Sequence, residues 1–204
     1  MKLYDQYVLP YLIDLACGIG PIHRQRDKVV PQAHGKVLEI GMGTGLNLGH
    51  YDADKLDELW GLDPARQMHH LAEKRMRKYG LEVKMLDLPA EEIPVPAGSF
   101  DTLVCTYTLC TIADPAQALR EMRRVLKPGG QLLFSEHGKA PDQKVARWQD
   151  RINPYWKPLA GGCNLNRPIG DLIASAGFAI DSLETLYLPG PRFFTFNYWG
   201  RATA

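Results

Sequence analysis

The sequence predicts an α/β protein built on one doubly wound, mostly parallel sheet of seven strands, with an antiparallel C-terminal hairpin. Three observations carry this. From residue 36 onward short apolar runs alternate with helical segments, the pattern of a parallel sheet covered on both faces. A glycine-rich turn follows the first of those runs, where open sheets of this kind bind ligands. The last two apolar runs are joined by PGPR (189–192), which reads as a turn between antiparallel neighbours.

Taken in order, the predicted strands are KVLEI (36–40), ELWGLD (58–63), LEVKML (81–86), FDTLVCT (100–106), QLLFSE (131–136), FAIDSLETLYL (178–188) and FFTFNYWG (193–200). The helix in PARQMHHLAEKRMRKYG (64–80) stops at Gly80. In ADPAQALREMRRVLKPGG, Asp114 caps the first turn, Pro115 fits the first helical position and Gly129 supplies the stop. Ala118, Leu119, Met122, Val125 and Leu126 then share one helical face. Residues 1–35 are predicted to form a helical cover and 138–168 a lid-like insertion with its own helix, both belonging to a single domain of 1–204.

The 204 residues are 45% hydrophobic and 23% charged, the balance of an ordinary folded chain. Lys and Arg total 24 against 23 Asp and Glu. The basic excess required for binding a phosphate backbone is missing, and nucleic acid is not expected as a partner. VLPYLIDLACGIG (8–20) resembles a signal peptide in its apolarity, but Pro10 and Asp14 interrupt it and one Lys makes a poor leading segment. No run reaches the roughly 18 apolar residues of a spanning helix. A cytoplasmic protein is expected, whose first helix covers a site or touches a membrane surface. Cys17, Cys105, Cys110 and Cys163 show neither CxxC spacing nor a companion His at metal-finger distance. They read as small buried hydrophobes, and no metal site is expected.

The chemistry concentrates in VLEIGMGTGLNLGHYD (37–52). Gly41, Gly43 and Gly45 lack Cβ atoms, allow positive φ and let a ligand lie on the backbone. A dinucleotide fingerprint would require glycine where Leu46 stands. Glu39, just before the turn, would repel a pyrophosphate and suits a ligand with cationic or donor groups. Asp63 ends the second strand, 22 residues after Gly41. That spacing suits a carboxylate accepting from two ribose hydroxyls, in NAD or in an adenosyl cofactor alike. The competing reading is that Asp63-Pro64 caps the next helix.

VLEIGMGTG, GLDP, PAEEIPVPAGSFDTLVCTYTL and LREMRRVLKPGG, in register over residues 36–137, together resemble the class I S-adenosylmethionine-dependent methyltransferases, in particular the small-molecule enzymes with the type-11 domain. A Rossmann-like fold and S-adenosylmethionine as cofactor follow from the resemblance. EH followed by W-Q, P-W and GCNLNR (136–167) is similar to the alkyl-thiol methyltransferase branch and its bacterial relatives. The resemblance implies that Gly41, Gly43 and Gly45 lie against the methionine part of the cofactor and that Glu39 approaches its ammonium through the turn. It implies further that Asp63, with Pro64 beside it, holds the ribose, that Met68 pads the adenine, and that Leu88, Pro89 and Ala90 wrap the adenine edge. Thr106 and Tyr107 would stand where the reactive methyl points; alternatively Thr106 only ends its strand.

Methyl transfer from a sulfonium is a one-step displacement with a neutral thioether leaving, so alignment in a dry site matters more than acid catalysis. His137, in FSEHG at the end of strand five, is the candidate to take a proton from the acceptor or to hold it, against a purely structural role for a lone His. Arg167 would stabilise an anionic acceptor or pair with Glu136. Tyr4, Tyr7, Trp148 and Trp156 would form an apolar cover. The expected partner is a small hydrophobic methyl acceptor, at sulfur or else at nitrogen or oxygen, with a phospholipid amine as the alternative. An NAD(P)-binding oxidoreductase and a non-catalytic cofactor-binding protein are the rivals from other classes.

Overall fold

A computed structural model describes residues 2–204. Three short helices lead the chain: α1 (Lys2–Tyr7), α2 (Leu9–Cys17) and α3 (Gly20–Val29). The sheet follows with β1 (Gly35–Ile40), β2 (Leu56–Leu62), α4 (Arg66–Tyr79), β3 (Val83–Leu86), β4 (Phe100–Thr106), α5 (Pro115–Val125) and β5 (Leu126–His137). The chain closes with α6 (Gln143–Leu159), α7 (Ile169–Ser175), β6 (Ala179–Tyr187), α8 (Arg192–Thr195) and β7 (Phe196–Thr203). Strand order is β3-β2-β1-β4-β5-β7-β6. The first five strands run parallel, while β7 lies antiparallel between β5 and β6.

Period-two alternation in the strands explains why both faces are covered. Leu38, Leu103 and Leu132 enter the larger apolar cluster, together with Leu119, Met122 and Val125 of α5. Their neighbours Val37, Val104 and Leu133 enter the opposite cluster with Val29 of α3. A one-residue slip of any central strand would exchange these two sets.

The helix ends follow local chemistry. Asp114 accepts from the Gln117 amide at 3.0 Å, and Gly80 ends α4 in the left-handed region at φ 66°. Two places differ from the sequence reading by three residues or more, the α5–β5 junction and β7, and the other strand and helix ends lie within two residues of it. The α5 helix stops at Val125, and Leu126-Lys127-Pro128-Gly129 already belongs to β5. Pro128 cannot extend the helix, and Gly129 at φ 79° lies at the strand entrance rather than at a helix end. In FFTFNYWG the first residues form the single turn α8, and the strand begins at Phe196.

Strand order reverses between β1, which continues outward to β2, and β4, which continues to β5. The crevice beyond the C-terminal ends of β1 and β4 is where such sheets take ligands. The leading helices lie over it, and no helix among the described residues is long and apolar enough to cross a membrane.

Candidate active site

Beyond β1 the chain enters a run of tight turns. Gly41, Gly43 and Gly45 have φ of 70°, 54° and 79°, which other residues adopt at a steric cost. Their bareness serves different ends. A Cβ on Gly41 would stand 2.2 Å from Thr108, and one on Gly45 would stand 2.8 Å from Leu48 and 3.1 Å from the Ala72 backbone. Gly45 therefore lets the turn pack on Leu48 and α4, and it does not line the cavity the turn encloses. A Cβ on Gly43 would meet only ordinary contacts, the Met68 sulfur at 3.7 Å and an Asp63 oxygen at 3.9 Å.

The turn walls a cavity of about 60 Å³ that also touches Glu39, Asn47, Thr106, Tyr107, Arg26 and Cys17. Two buried opposite charges face it. Glu39 is 1% exposed and Arg26 3%, and Asn47 stands between them. The Asn47 side chain accepts from Arg26 Nε at 3.0 Å and donates to Glu39 Oε1 at 3.0 Å. Tyr51 donates to the other Glu39 oxygen at 2.8 Å. Arg26 also donates to the Cys17 carbonyl at 2.8 Å and lies 5.0 Å from the Tyr107 ring centroid. Burial pushes the Glu39 carboxyl up to about 7, against the pull of Tyr51, Asn47 and the Arg26 charge. Thr106, 6% exposed, exchanges hydrogen bonds with Asn47.

Asp63 does not cap α4, whose N-cap is Ala65 with no side-chain cap hydrogen bond; it stands just beyond the ligand end of β2. Its oxygens accept from the Gly43 amide and the Ala65 amide, both at 2.7 Å. It thus braces the glycine turn against the start of α4. Burial raises its pKa and the two amides oppose the rise. Met68 is buried beside it, whereas Pro64 is exposed. The segment after β3 lies alongside, since the Asp63 amide donates to Leu86 oxygen at 3.0 Å. Leu88 and Ala90 turn onto the larger core cluster, while Pro89 stays exposed.

A second, mostly apolar cavity of about 520 Å³ adjoins the first through shared walls at Ile13, Cys17 and Tyr107. Its roof is α2, its floor the ends of β4 and β5, and its sides are α6 and the segment leading into β7. Tyr107, at the junction, is the one non-glycine residue with positive φ (53°) among those described, a strained geometry held where two cavities meet. Its hydroxyl donates to Asn197 at 2.7 Å and its ring stacks on His137. His137 Nε2 lies 3.2 Å from Cys163 Sγ. Burial would lower the His137 pKa, but the Cys163 sulfur and Glu136 carry it above the ordinary value. A hydrogen bond from Cys110 depresses the Cys163 thiol, with burial opposing and His137 and Trp156 assisting. No spacing in the sequence announces this cluster: Cys110, His137 and Cys163, read there as unconnected residues with no metal-binding pattern, converge on one wall.

Several site readings need correction. Arg167 does not face the acceptor cavity or pair with Glu136. Its guanidinium donates to the Leu109 carbonyl and, at 2.7 Å, to the Ile112 carbonyl, which makes it a staple for the loop after β4. Glu136 is fully buried and accepts from the Thr108 and Leu109 amides at 2.8 and 3.0 Å, with burial raising it to about 7. Tyr4 and Trp156 line the cavity, but Tyr7 and Trp148 are 61% and 57% exposed and cover nothing. Arg26, Asn47 and Asp14 escaped the sequence reading. The signal for Asn47 was its place in GLNLGHYD, directly after the turn; for Arg26 it was a lone basic residue on the inward face of α3.

Glu39 and Arg26 thus face the small cavity behind the glycine turn, and Asp63 braces that turn from the end of β2. With these residues at the switch point of a sheet of this order, the sequence and structure comparisons show that the chain belongs to the class I S-adenosylmethionine-dependent methyltransferases. The methyltransferase domain family matches residues 38–134. The chain is similar to human thiol S-methyltransferase TMT1B, 36% identical over 161 residues covering 74% of this chain and 64% of that protein. It is also similar to phosphatidylethanolamine N-methyltransferase of Cereibacter sphaeroides, 34% identical over 127 residues covering 58% and 62%. The chain thus spans just under two thirds of these relatives' length. Among solved structures, a Thermotoga maritima S-adenosylmethionine-dependent methyltransferase, described as a possible histamine N-methyltransferase, superposes with a TM-score of 0.66 at 24% identity, covering 99% of this chain and 98% of that one.

Proposed function

We propose that this chain transfers the methyl group of S-adenosylmethionine to a small hydrophobic thiol. The observation that carries the reading is the apolar cavity of about 520 Å³, joined at Tyr107 to the charged cavity and bearing the His137–Cys163 pair on its wall. Arg26 and Glu39 would grip the zwitterionic end of the cofactor and Asp63 its ribose, so that the sulfonium meets the junction. A thiol entering the apolar cavity gives up its proton to the Cys163–His137 pair. The resulting thiolate attacks the methyl carbon as the carbon–sulfonium bond breaks, and the proton then leaves to water. Both reactant charges vanish in this step, so the dry walls favour it, and the fixed approach supplies most of the remaining advantage.

A second reading has its own observation. Leu12, Ile19 and Leu159 at the cavity wall are 47%, 45% and 65% exposed, and Leu3, Tyr7, Tyr11 and Leu15 beside them are exposed too. An apolar rim of this kind suits an acceptor arriving from a lipid surface, including a phospholipid amine, with peripheral membrane contact through the leading helices. Labelled-methyl transfer to alkyl and aryl thiols, amines, phenols and phosphatidylethanolamine vesicles separates the two. Label in a thioether is the expected result; label only in the vesicle lipid would overturn the thiol assignment.

A further inference from the structure

The cluster on the cavity wall has more chemistry than a proton acceptor needs. The donor atoms of Cys110, His137 and Cys163 all lie within 4.8 Å of one another, and all three residues line the same cavity. In a tetrahedral zinc complex with bonds near 2.3 Å to sulfur and 2.0 Å to nitrogen, neighbouring donors stand roughly 3.5–3.8 Å apart. His137 Nε2 and Cys163 Sγ, 3.2 Å apart, already stand close to that spacing, and small side-chain rotations bring the three donors to it. Three residues from three separate parts of the chain meet here: the loop after β4, the last residue of β5 and the loop after α6.

The convergence is built. Gly161 and Gly162, at φ 60° and 91°, reverse the chain after α6 and return it to the sheet. Asn164 then donates to the Cys110 carbonyl from both its amide, at 2.9 Å, and its side chain, at 2.8 Å. Asn153 accepts from the Leu165 amide at 2.8 Å, and Arg167 staples the same loop to Leu109 and Ile112. These bonds fix the backbones that carry the two thiols, as outer partners do in metal sites. The Trp156 indole N–H, buried on this wall, is directed at Cys163 but makes no hydrogen bond of ordinary length, and it is available to a metal-bound sulfur.

We propose that Cys110, His137 and Cys163 form a three-ligand site for a thiophilic divalent ion, zinc by ligand type, with its fourth position open to the acceptor cavity. Two thiolates and an imidazole favour zinc and disfavour magnesium or calcium, which take oxygen donors. Glu136, the nearest buried carboxylate in sequence, spends one oxygen on backbone amides. Three protein ligands and one free position is the arrangement of zinc sites that act on substrates. The role of the ion rests on the thiol reading and takes the place of the proton acceptor in it: with Cys163 and His137 holding the ion, an acceptor thiol at the open position would lose its proton to water and be held as a thiolate facing the sulfonium.

The test uses the whole chain, stripped by chelator under reducing conditions and titrated with cobalt(II). The expected result is one equivalent bound, with tetrahedral visible bands and a near-ultraviolet sulfur-to-cobalt transition, displaced by one equivalent of zinc. Cys110→Ala and Cys163→Ala each lose cobalt affinity by a hundredfold or more while still binding S-adenosylmethionine, which shows that they fold. Addition of an alkanethiol shifts the cobalt bands. Cobalt binding without thiol turnover supports the site and removes the acceptor reading. Octahedral cobalt spectra, a zinc content unaltered by Cys163→Ala, or a Cys110–Cys163 disulfide in the reduced preparation would each overturn the site.

Discussion

Arg26 and Glu39 hold opposite charges on one small cavity with Asn47 between them, which suits a zwitterion better than either ion alone. Arg26→Ala is expected to remove a charge-assisted contact of about 1.5–3 kcal/mol, weakening cofactor affinity by tenfold or more in a calorimetric titration. Glu39 gives the same site a pH signature. Its carboxyl, raised to about 7 in the free protein, is drawn down when an ammonium sits beside it. Binding therefore releases protons near pH 6.5, and affinity rises with pH through about 7. Titrations in two buffers of different ionisation heat measure the release, and Glu39→Gln is expected to abolish it. Asp63 braces the fold, its oxygens accepting from Gly43 and Ala65, and on the proposed reading it also holds the ribose. Asp63→Ala is expected to cost cofactor affinity tens-fold and to lower the melting temperature as well. A loss of affinity with no change in melting would contradict the bracing role. Arg167→Ala leaves two buried carbonyls unpaired, a cost of roughly 1–3 kcal/mol each. It is expected to act on thermal stability, with turnover lost only in step with folding.

At the scale of elements, the cover over the site is clasped by one acidic side chain. Asp14 of α2 accepts from Thr44 of the glycine turn at 2.6 Å and pairs with Arg75 of α4 at 2.9 Å, and Arg75 donates to the Thr44 carbonyl at 2.8 Å. Asp14→Ala is expected to speed cofactor dissociation several-fold in stopped-flow and to raise hydrogen exchange across Leu9–Cys17, with the sheet unaffected. Much of the element plan was legible in sequence because strands buried on both faces are nearly continuous apolar runs: FDTLVCT (100–106) coincides with β4 to the residue. The exchange at Leu126 was not, because the register of Leu126 with Phe100 on β4 drew LKPGG into the sheet. In the site, Glu39, the glycine turn and Asp63 were legible because one short stretch and one strand end carry them. Arg26, Asp14 and the Cys110–His137–Cys163 wall were not, since each is assembled from segments that only the tertiary fold brings together.

Over the whole molecule, two buried carboxyls set a common trend. Glu39 and Glu136 both stand at about 7 in the folded chain, above the ordinary unfolded value near 4.3. Below that unfolded value their contribution is fully present; as pH rises toward 7 the unfolded chain ionises first, and the contribution is lost. Denaturant midpoints of the cofactor-free protein are expected to fall across that window, with the fall reduced in Glu39→Gln. On the proposed reading the architecture divides the labour: the small cavity at the sheet's switch point is for the cofactor, the larger one under the leading helices and α6 is for the acceptor, and Tyr107 lines both. A crystal structure with S-adenosylhomocysteine tests that division most directly. The carboxylate is expected at Arg26, the ammonium at Glu39, the ribose at Asp63 and the thioether sulfur at Tyr107, facing the apolar cavity. Density for the nucleoside away from the Gly41–Gly45 turn, or a sulfur turned from that cavity, would contradict it.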